Sequence, residues 1–366
     1  MRVCLATGIF PPDKGGPAQF TKTYANWLVE KGFEVLVTSL TDKHDEKNLH
    51  GPLKMILYSR NASIFMRYIK TIFTLRKFSK QYIFIANGLF LEIFFASLFS
   101  KLNYIAKVPG DIVWERARNN KDTTLSIDAY QGFEKGTMKL MRWLFTKSLK
   151  HSQYIIAPSS HLKNLIVSWG LDPSKIVVIS NAVDLKTFSP NKLQEKKYDV
   201  ITICRLTPWK GVSEIIEESA KMNLSVAIVG SGGEEGSLRT LAEKLQANVT
   251  FLGERKQSEL PLLINQSRIF LLNSSYEGSP HALLEAMACG AICVARASTG
   301  TSEVIRDGVN GFLCDDVRNL ESTLSLVLAG NIDIQEVSSR ARAYAVDYCD
   351  IDKNYSSITD LLKKLK

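Results

Sequence analysis

Short apolar runs alternate along this chain with longer amphipathic stretches. Arg2–Ala6 (RVCLA) is the first run and reads as a buried strand. A Gly- and Pro-rich loop over Gly8–Gly16 follows, then a helix over Ala18–Lys31 that Gly32 ends, then the strand Glu34–Ser39. A strand–loop–helix–strand unit of this kind belongs to a parallel, doubly wound sheet. Strand-like runs return at Lys54–Tyr58, Tyr82–Ala86, Tyr104–Val108, Tyr154–Ala157 and Lys175–Ile179. Helices are predicted between them, including Ile64–Lys80 and Phe90–Lys101.

Asn181–Lys197 (NAVDLKTFSPNKLQEKK) breaks the alternation with a proline, polar residues and a charge run, which places a domain boundary there. The alternation restarts with the strand Tyr198–Cys204, a helix over Gly211–Lys221 and the strand Ser225–Val229. GSGGEEG then introduces a helix through Gln246, followed by the strand Val249–Leu252, a helix over Ser258–Asn265 and the strand Ile269–Leu272. Beyond Gly311-Phe312-Leu313, helices are predicted over Val317–Leu328, Ile334–Val346 and Ile351–Leu365. The pattern therefore predicts two doubly wound α/β domains in tandem, 1–185 and 198–345. A C-terminal helix, 346–366, is free to pack back on the first.

Asn273–Arg296 (NSSYEGSPHALLEAMACGAICVAR) carries two carboxylates, Glu277 and Glu285, with seven residues between them. Ser279-Pro280 reads as an N-cap followed by a proline at the first helical position, so a helix is expected over Pro280–Cys289 and stopped by Gly290. Glu277 then lies in the loop before the helix and Glu285 inside it. Amides near His281 and Ala282 would stand outside the intrahelical ladder at the positive end of the dipole. Such an arrangement suits a phosphorylated ligand, with a carboxylate reaching hydroxyls on either side. It equally describes a capped helix with two solvated glutamates, and the rest of the chain has to decide.

At 366 residues and 45% hydrophobic content, the chain is long enough for two cores. No stretch of about 18 uncharged apolar residues suggests a membrane span. MRVCLATGIFPP reads as strand and turn, without a signal peptide's long apolar region. The six cysteines are scattered through apolar runs without a zinc-site spacing, so buried free thiols in a reducing cytosol are expected. Charge is uneven. Residues 1–190 hold 26 Lys+Arg against 14 Asp+Glu, and the remainder 20 against 23, of a total of +9. A basic first half suits an anionic surface, membrane or nucleic acid, or is an ordinary basic enzyme surface. Ile64–Lys80 mixes five basic residues with aromatic and aliphatic ones, and is read as a core-facing helix with a basic outer edge.

Arg205 and Lys210 (CRLTPWKG) directly follow the first strand of the second domain. Ligands of doubly wound sheets bind outside the carboxyl ends of the strands, and a planar guanidinium beside a compact ammonium suits a diphosphate. Gly15-Gly16 follows the first strand of the first domain, where paired glycines let backbone approach a phosphate or sugar. Neither a G-x-G-x-x-G fingerprint nor a P-loop exists, which argues against dinucleotide and nucleoside-triphosphate sites. Gly230-Ser231-Gly232-Gly233 runs into Glu234-Glu235, which would repel phosphate, and is read as a tight turn at a site's edge.

The order of the Gly-Gly loop, NAVDLKTFSP, R-x-x-x-x-K-G, strand-GSGG, FLGER and the two glutamates resembles the retaining, nucleotide-sugar-dependent glycosyltransferases of family four. The resemblance spans nearly the whole chain and is stronger in the second domain. It implies the GT-B fold, with two Rossmann-like domains facing across a cleft. It also implies that Arg205 and Lys210 bind the donor diphosphate and stabilise developing charge, assisted by amides near Gly16, His281 and Ala282 in the Gly278-Ser279 loop and helix start. Glu277 would bond hydroxyls of the transferred sugar, Glu285 those of the ribose, and Arg255 would edge the base pocket. Neither a metal nor another cofactor is implied.

Many relatives carry a histidine after the strand matching Tyr104–Val108. Here Pro109 takes that place, and Asp111 is the nearest ionisable substitute, either contacting the sugar or acceptor hydroxyl or simply capping a turn or helix. The first domain would bind the acceptor, with a lipid-linked saccharide on the cytoplasmic membrane face as the leading expectation and peripheral attachment to anionic lipid. No nucleic acid is expected. Two other readings stay open: a sugar-nucleotide epimerase or hydrolase on the same fold, and a non-catalytic nucleic-acid binder using the basic half.

Overall fold

The computed structural model describes residues 1–13, 15–191, 193–315, 319–330 and 332–365. The chain divides into two compact units, 1–179 with 355–366, and 180–354. In the first unit the strands are β1 (Arg2–Thr7), β2 (Glu34–Thr41), β3 (Glu46–Asn48), β4 (Leu53–Ser59), β5 (Ile83–Asn87), β6 (Tyr104–Lys107), β7 (Tyr154–Ala157) and β8 (Ile176–Val178). They form one sheet in the order β3-β4-β2-β1-β5-β6-β7-β8. All pairs are parallel except the edge pair β3–β4. That edge strand (EKN) is fully exposed and charged, and no apolar pattern announces it.

In the second unit the strands are β9 (Tyr198–Ile203), β10 (Val226–Val229), β11 (Val249–Gly253), β12 (Ser267–Leu272), β13 (Ile292–Arg296) and β14 (Phe312–Cys314), all parallel in the order β11-β10-β9-β12-β13-β14. Successive residues of the central strands point to opposite faces. Val200, Ile269 and Leu271 join one core layer, while Ile201, Phe270 and Leu272 join the other. Near-continuous apolar runs such as RIFLL and ICVAR are what a sheet covered on both sides requires. Both units are thus doubly wound α/β sheets, as the alternation predicts.

The expected boundary at Asn181–Lys197 differs from the observed one, since this whole stretch belongs to the second unit. Arg342 clamps it by donating to the carbonyls of Phe188 (2.7 Å) and Leu185 (3.2 Å), and Lys196 Nζ donates to the Asn265 and Ser267 carbonyls at 2.9 Å each. A linker-like composition here reflects backbone bonding by side chains rather than a free tether. The last helix, Ile351–Lys363, begins in the second unit, and from Tyr355 onward the chain belongs to the first. There Tyr355 packs edge-on against Phe20, Tyr24 and Trp27. Of the helix expected over Val317–Leu328, residues 319–328 are described and Leu320–Leu328 is helical; 317 and 318 lie outside the described residues. All six cysteines are free, five of them buried. No described helix is long and apolar enough to cross a membrane.

Candidate functional site

In the second unit the chain winds from β9 to β10 in one direction and from β12 to β13 in the other, so β9 and β12 are neighbours at the switch point. In doubly wound sheets the loops that leave the carboxyl ends at such a point are where ligands bind. Arg205 and Lys210 stand on the loop after β9, and Glu277, Gly278 and Ser279 on the loop after β12. Asn273 ties the two loops together, with its amide donating to the Gly211 carbonyl (3.0 Å) and to Glu214 (2.7 Å). Ser275 N adds a bond to the Trp209 carbonyl at 2.9 Å. Gly211 turns the chain with φ 61°, and a Cβ there would lie 2.6 Å from the Asn273 side chain and carbonyl.

This stitching brings Lys210 and Glu277 together. Their side chains, each 13% exposed, form an ion pair at 2.5 Å. Arg205 is exposed, on the same loop as Lys210. Glu277 is fixed from behind, because the start of helix Thr299–Val304 packs on its carbonyl. Thr299 Oγ1 donates to that oxygen at 3.2 Å, and Gly300 lies so close that a Cβ would fall 2.3 Å from it.

The helix after this loop runs His281–Ala288, capped by Pro280. The expectation placed the cap at Ser279, one residue early. Ser279 makes no capping bond, and its carbonyl instead accepts from Asn181 Nδ2 at 3.0 Å, which anchors the loop. The helical ladder begins at Leu284 N, which donates to the Pro280 carbonyl at 3.1 Å. The amides of His281 and Ala282 precede it, at the positive end of the dipole. Glu285 lies inside the helix, buried, where Gln257 donates to Oε1. Burial pushes its carboxyl up to about 8, and the Gln257 bond only partly offsets this. Arg255 is exposed and paired with Glu259 at 3.7 Å. Gly230 and Gly232 meet the strand end after β9 backbone to backbone, since Cβ atoms there would lie 1.9 Å from the Cys204 carbonyl and 2.2 Å from that of Leu206.

In the first unit the switch point lies between β1 and β5. Gly15, with φ 133°, precedes the helix Gly16–Glu30, and Gly16 is its first residue. Lys14 lies outside the described residues. Gly88, after β5, touches the Gly8 amide, where a Cβ would sit at 2.5 Å. Asp111 is the helix cap among the two roles weighed for it. Oδ1 accepts from Val113 N (3.0 Å) and Trp114 N (3.2 Å), and Oδ2 accepts from Arg142 (2.5 Å) and Gln131 (3.1 Å). It is fully buried, so this geometry lends no support to a contact with sugar. The sequence pattern passes over Lys107, a cation hidden at the end of an apolar strand. It lies over the Phe20 ring at 4.5 Å, and burial lowers its ammonium to about 8. Gln257 and Asn273 were missed as well. Each acts through another residue, which no local motif reveals.

The glycosyl transferases group 1 family model matches residues 184–344, and that of glycosyltransferase family 4 matches residues 122–187. One subunit of the human phosphatidylinositol N-acetylglucosaminyltransferase is 25% identical over 84% of this chain and 64% of its own length. The UDP-Gal:alpha-D-GlcNAc-diphosphoundecaprenol alpha-1,3-galactosyltransferase of Escherichia coli is 26% identical over 64% of this chain and 66% of its own. The chain thus spans just under two thirds of the length of these curated relatives. Anabaena Alr3699/HepE, solved with UDP and glucose, superposes over 100% of both chains with a TM-score of 0.79 at 19% identity. That superposition confirms the architecture, and the two family models account for the motifs from the first unit's end through the second. The chain belongs to the group 1, family 4 glycosyltransferases and has their GT-B fold.

Proposed function

We propose that the protein transfers a sugar from a nucleoside diphosphate to a hydroxyl of a lipid-linked saccharide, with retention at the anomeric carbon. The observation that carries this is the Lys210–Glu277 ion pair at the β9/β12 switch point, with Arg205 exposed on the same loop as Lys210 and Glu285 in the helix that follows the Glu277 loop. The two cations neutralise the diphosphate, and the amides of His281 and Ala282 add hydrogen bonds to it. Glu277 holds hydroxyls of the transferred sugar. Glu285 holds those of the ribose, and Arg255 edges the base.

In the reaction the bond from the anomeric carbon to the phosphate oxygen breaks, and a bond to the acceptor oxygen forms on the same face. The acceptor's proton passes to the departing phosphate. Glu277 and Glu285 are therefore sugar-holding groups rather than the acid and nucleophile of a hydrolase. Arg205, Lys210 and the amides do the charge-neutralising work of a divalent ion, so no metal is required. One Asp-x-Asp triplet, Asp350-Ile351-Asp352, stands at the start of the last helix, where Asp350 accepts from Lys353 N at 2.9 Å as a cap.

UDP- and GDP-sugars are the donors, a uridine one the first to try because HepE was solved with UDP. The acceptor reading follows the Escherichia coli relative, whose name places its acceptor sugar on diphosphoundecaprenol. Incubation with a donor panel, lipid acceptors and excess EDTA tests the proposal. Expected is transfer from one donor, unchanged by EDTA, with the new linkage in the donor's anomeric configuration. Hydrolysis or epimerisation without transfer, or loss of activity on chelation, would contradict it.

A further inference from the structure

The first unit's helices Ile64–Phe78, Phe90–Phe99 and Gly136–His151 all connect parallel strands in the same sense, rightward from β4 to β5, β5 to β6 and β6 to β7. Right-handed crossovers put them on one face of the sheet, and the middle helix packs against both others. The helix Ile64–Phe78 was expected to face the core. Only Thr71 and Leu75 of it are buried. Several of its large apolar residues instead stand in water, with Ile64 68%, Phe65 73% and Phe73 63% exposed, while Tyr68, Ile69, Ile72 and Phe78 are half-buried. Phe99 (67%), Leu140 (57%) and Trp143 (55%) on the other two helices do the same. Arg76 joins two of the helices by lying over the rings of both Phe73 (5.8 Å) and Phe99 (5.5 Å).

A monomeric surface rarely carries so many large exposed side chains together, so this face marks a contact surface. Charge identifies the partner. Arg142 turns inward onto Asp111 and Glu134, which leaves these helices seven Lys+Arg (Arg67, Lys70, Arg76, Lys77, Lys139, Lys147 and Lys150), of which Lys70 pairs with Asp45, and one acidic residue, Glu92, which is buried. Such a face repels a second copy of itself. Exposed aromatics among long basic side chains instead match a bilayer of anionic lipid, with rings at the headgroup level and ammonium and guanidinium groups on phosphates. We infer that this three-helix face docks the protein onto an anionic membrane surface.

The geometry also orients the docked unit. Helices that connect parallel strands start at the strands' carboxyl edge, so Ile64, Phe65 and Leu140, in the first turns of their helices, lie toward the edge where Gly15 and Gly16 stand. Phe73, Arg76 and Phe99 lie toward the other ends of their helices, so the docked face runs the length of the helices, with one end beside the first unit's Gly15–Gly16 edge. The inference deepens the lipid-linked acceptor reading and takes its purpose from it, yet binding to vesicles is read without donor or acceptor. Vesicle binding without transfer would leave the surface standing while that reading fell.

Sedimentation of the full chain with vesicles of phosphatidylcholine containing about 30% phosphatidylglycerol tests it. The chain is expected to bind these, to release at 1 M salt, and to bind pure phosphatidylcholine far more weakly. Arg76→Gln with Lys77→Gln should weaken binding about thirtyfold, about fivefold for each close cation. Phe65→Ser with Phe73→Ser should weaken it by at least tenfold with an unchanged melting temperature, since both rings are mostly exposed. A chain that stays in solution with anionic vesicles overturns the inference. So does binding indifferent to both variants, or a concentration-dependent dimer that the Phe65→Ser/Phe73→Ser variant dissolves.

Discussion

At the residue scale, the second unit's site holds two carboxylates in opposite circumstances. Glu277 faces Lys210 across 2.5 Å, whereas Glu285 is buried with only an amide, Gln257, against it. Glu285's carboxyl is raised to about 8 in the folded protein and returns to about 4.3 when unfolded. Between those values the folded state holds a proton that the unfolded state has lost, so this group lowers stability as pH rises from about 4.3 to 8. Glu285→Gln should remove that slope. Its melting temperature relative to the parent should be close to unchanged at pH 4.5 and higher at pH 8.5, and an equal difference at both would contradict the burial argument. On the proposed role of Glu285, ribose hydroxyls would donate to its charged form, so nucleotide binding should release a proton near pH 7. Calorimetry in buffers of differing ionisation enthalpy reads that release.

At the element scale, loops rather than helices set the geometry. Gly211 and Gly253 both have positive φ, 61° and 64°, but only Gly211 has a neighbour where a Cβ would go. Gly253→Ala should cost about 1 kcal/mol, the left-handed penalty alone. Gly211→Ala should cost distinctly more, because Asn273 would have to move and with it the bond that joins the two site loops. Urea unfolding of the two variants gives the comparison, and equal losses would mean the stitching carries little.

The elements themselves were readable because parallel sheets bury strands on both faces, so VITI, VAIV and RIFLL stand out as apolar runs. Most predicted strands lie within two residues of their observed ends. The exposed edge strand Glu46–Asn48 had no such signal. The one-residue error at Ser279 arose because a hydroxyl before a proline looks like a cap whether or not its chain turns that way. Arg205, Lys210, Glu277 and Glu285 stand out in the sequence through their spacing and order, and the structure joins Lys210 and Glu277 as an ion pair. Asp111's engagement was not, because Gln131 and Arg142 reach it from 20 and 31 residues away.

At the scale of the whole molecule, charge and chemistry are divided between the units. The first carries the basic excess and the exposed aromatic face, and the second carries Arg205, Lys210, Glu277 and Glu285, the groups proposed to hold the donor. Loss of membrane affinity and loss of donor affinity should therefore be separable. Arg76→Gln with Lys77→Gln should leave nucleotide binding unaltered.

The central claim, that Arg205 and Lys210 at the β9/β12 switch point hold the diphosphate of an activated sugar, is tested most directly by thermal shift with UDP- and GDP-sugars. A donor at 100 times its dissociation constant should stabilise the native chain by about 2.7 kcal/mol. The Arg205→Ala/Lys210→Ala variant should show no shift at that concentration. An unchanged shift in the variant, or none with any nucleotide sugar in the native chain, would contradict the account.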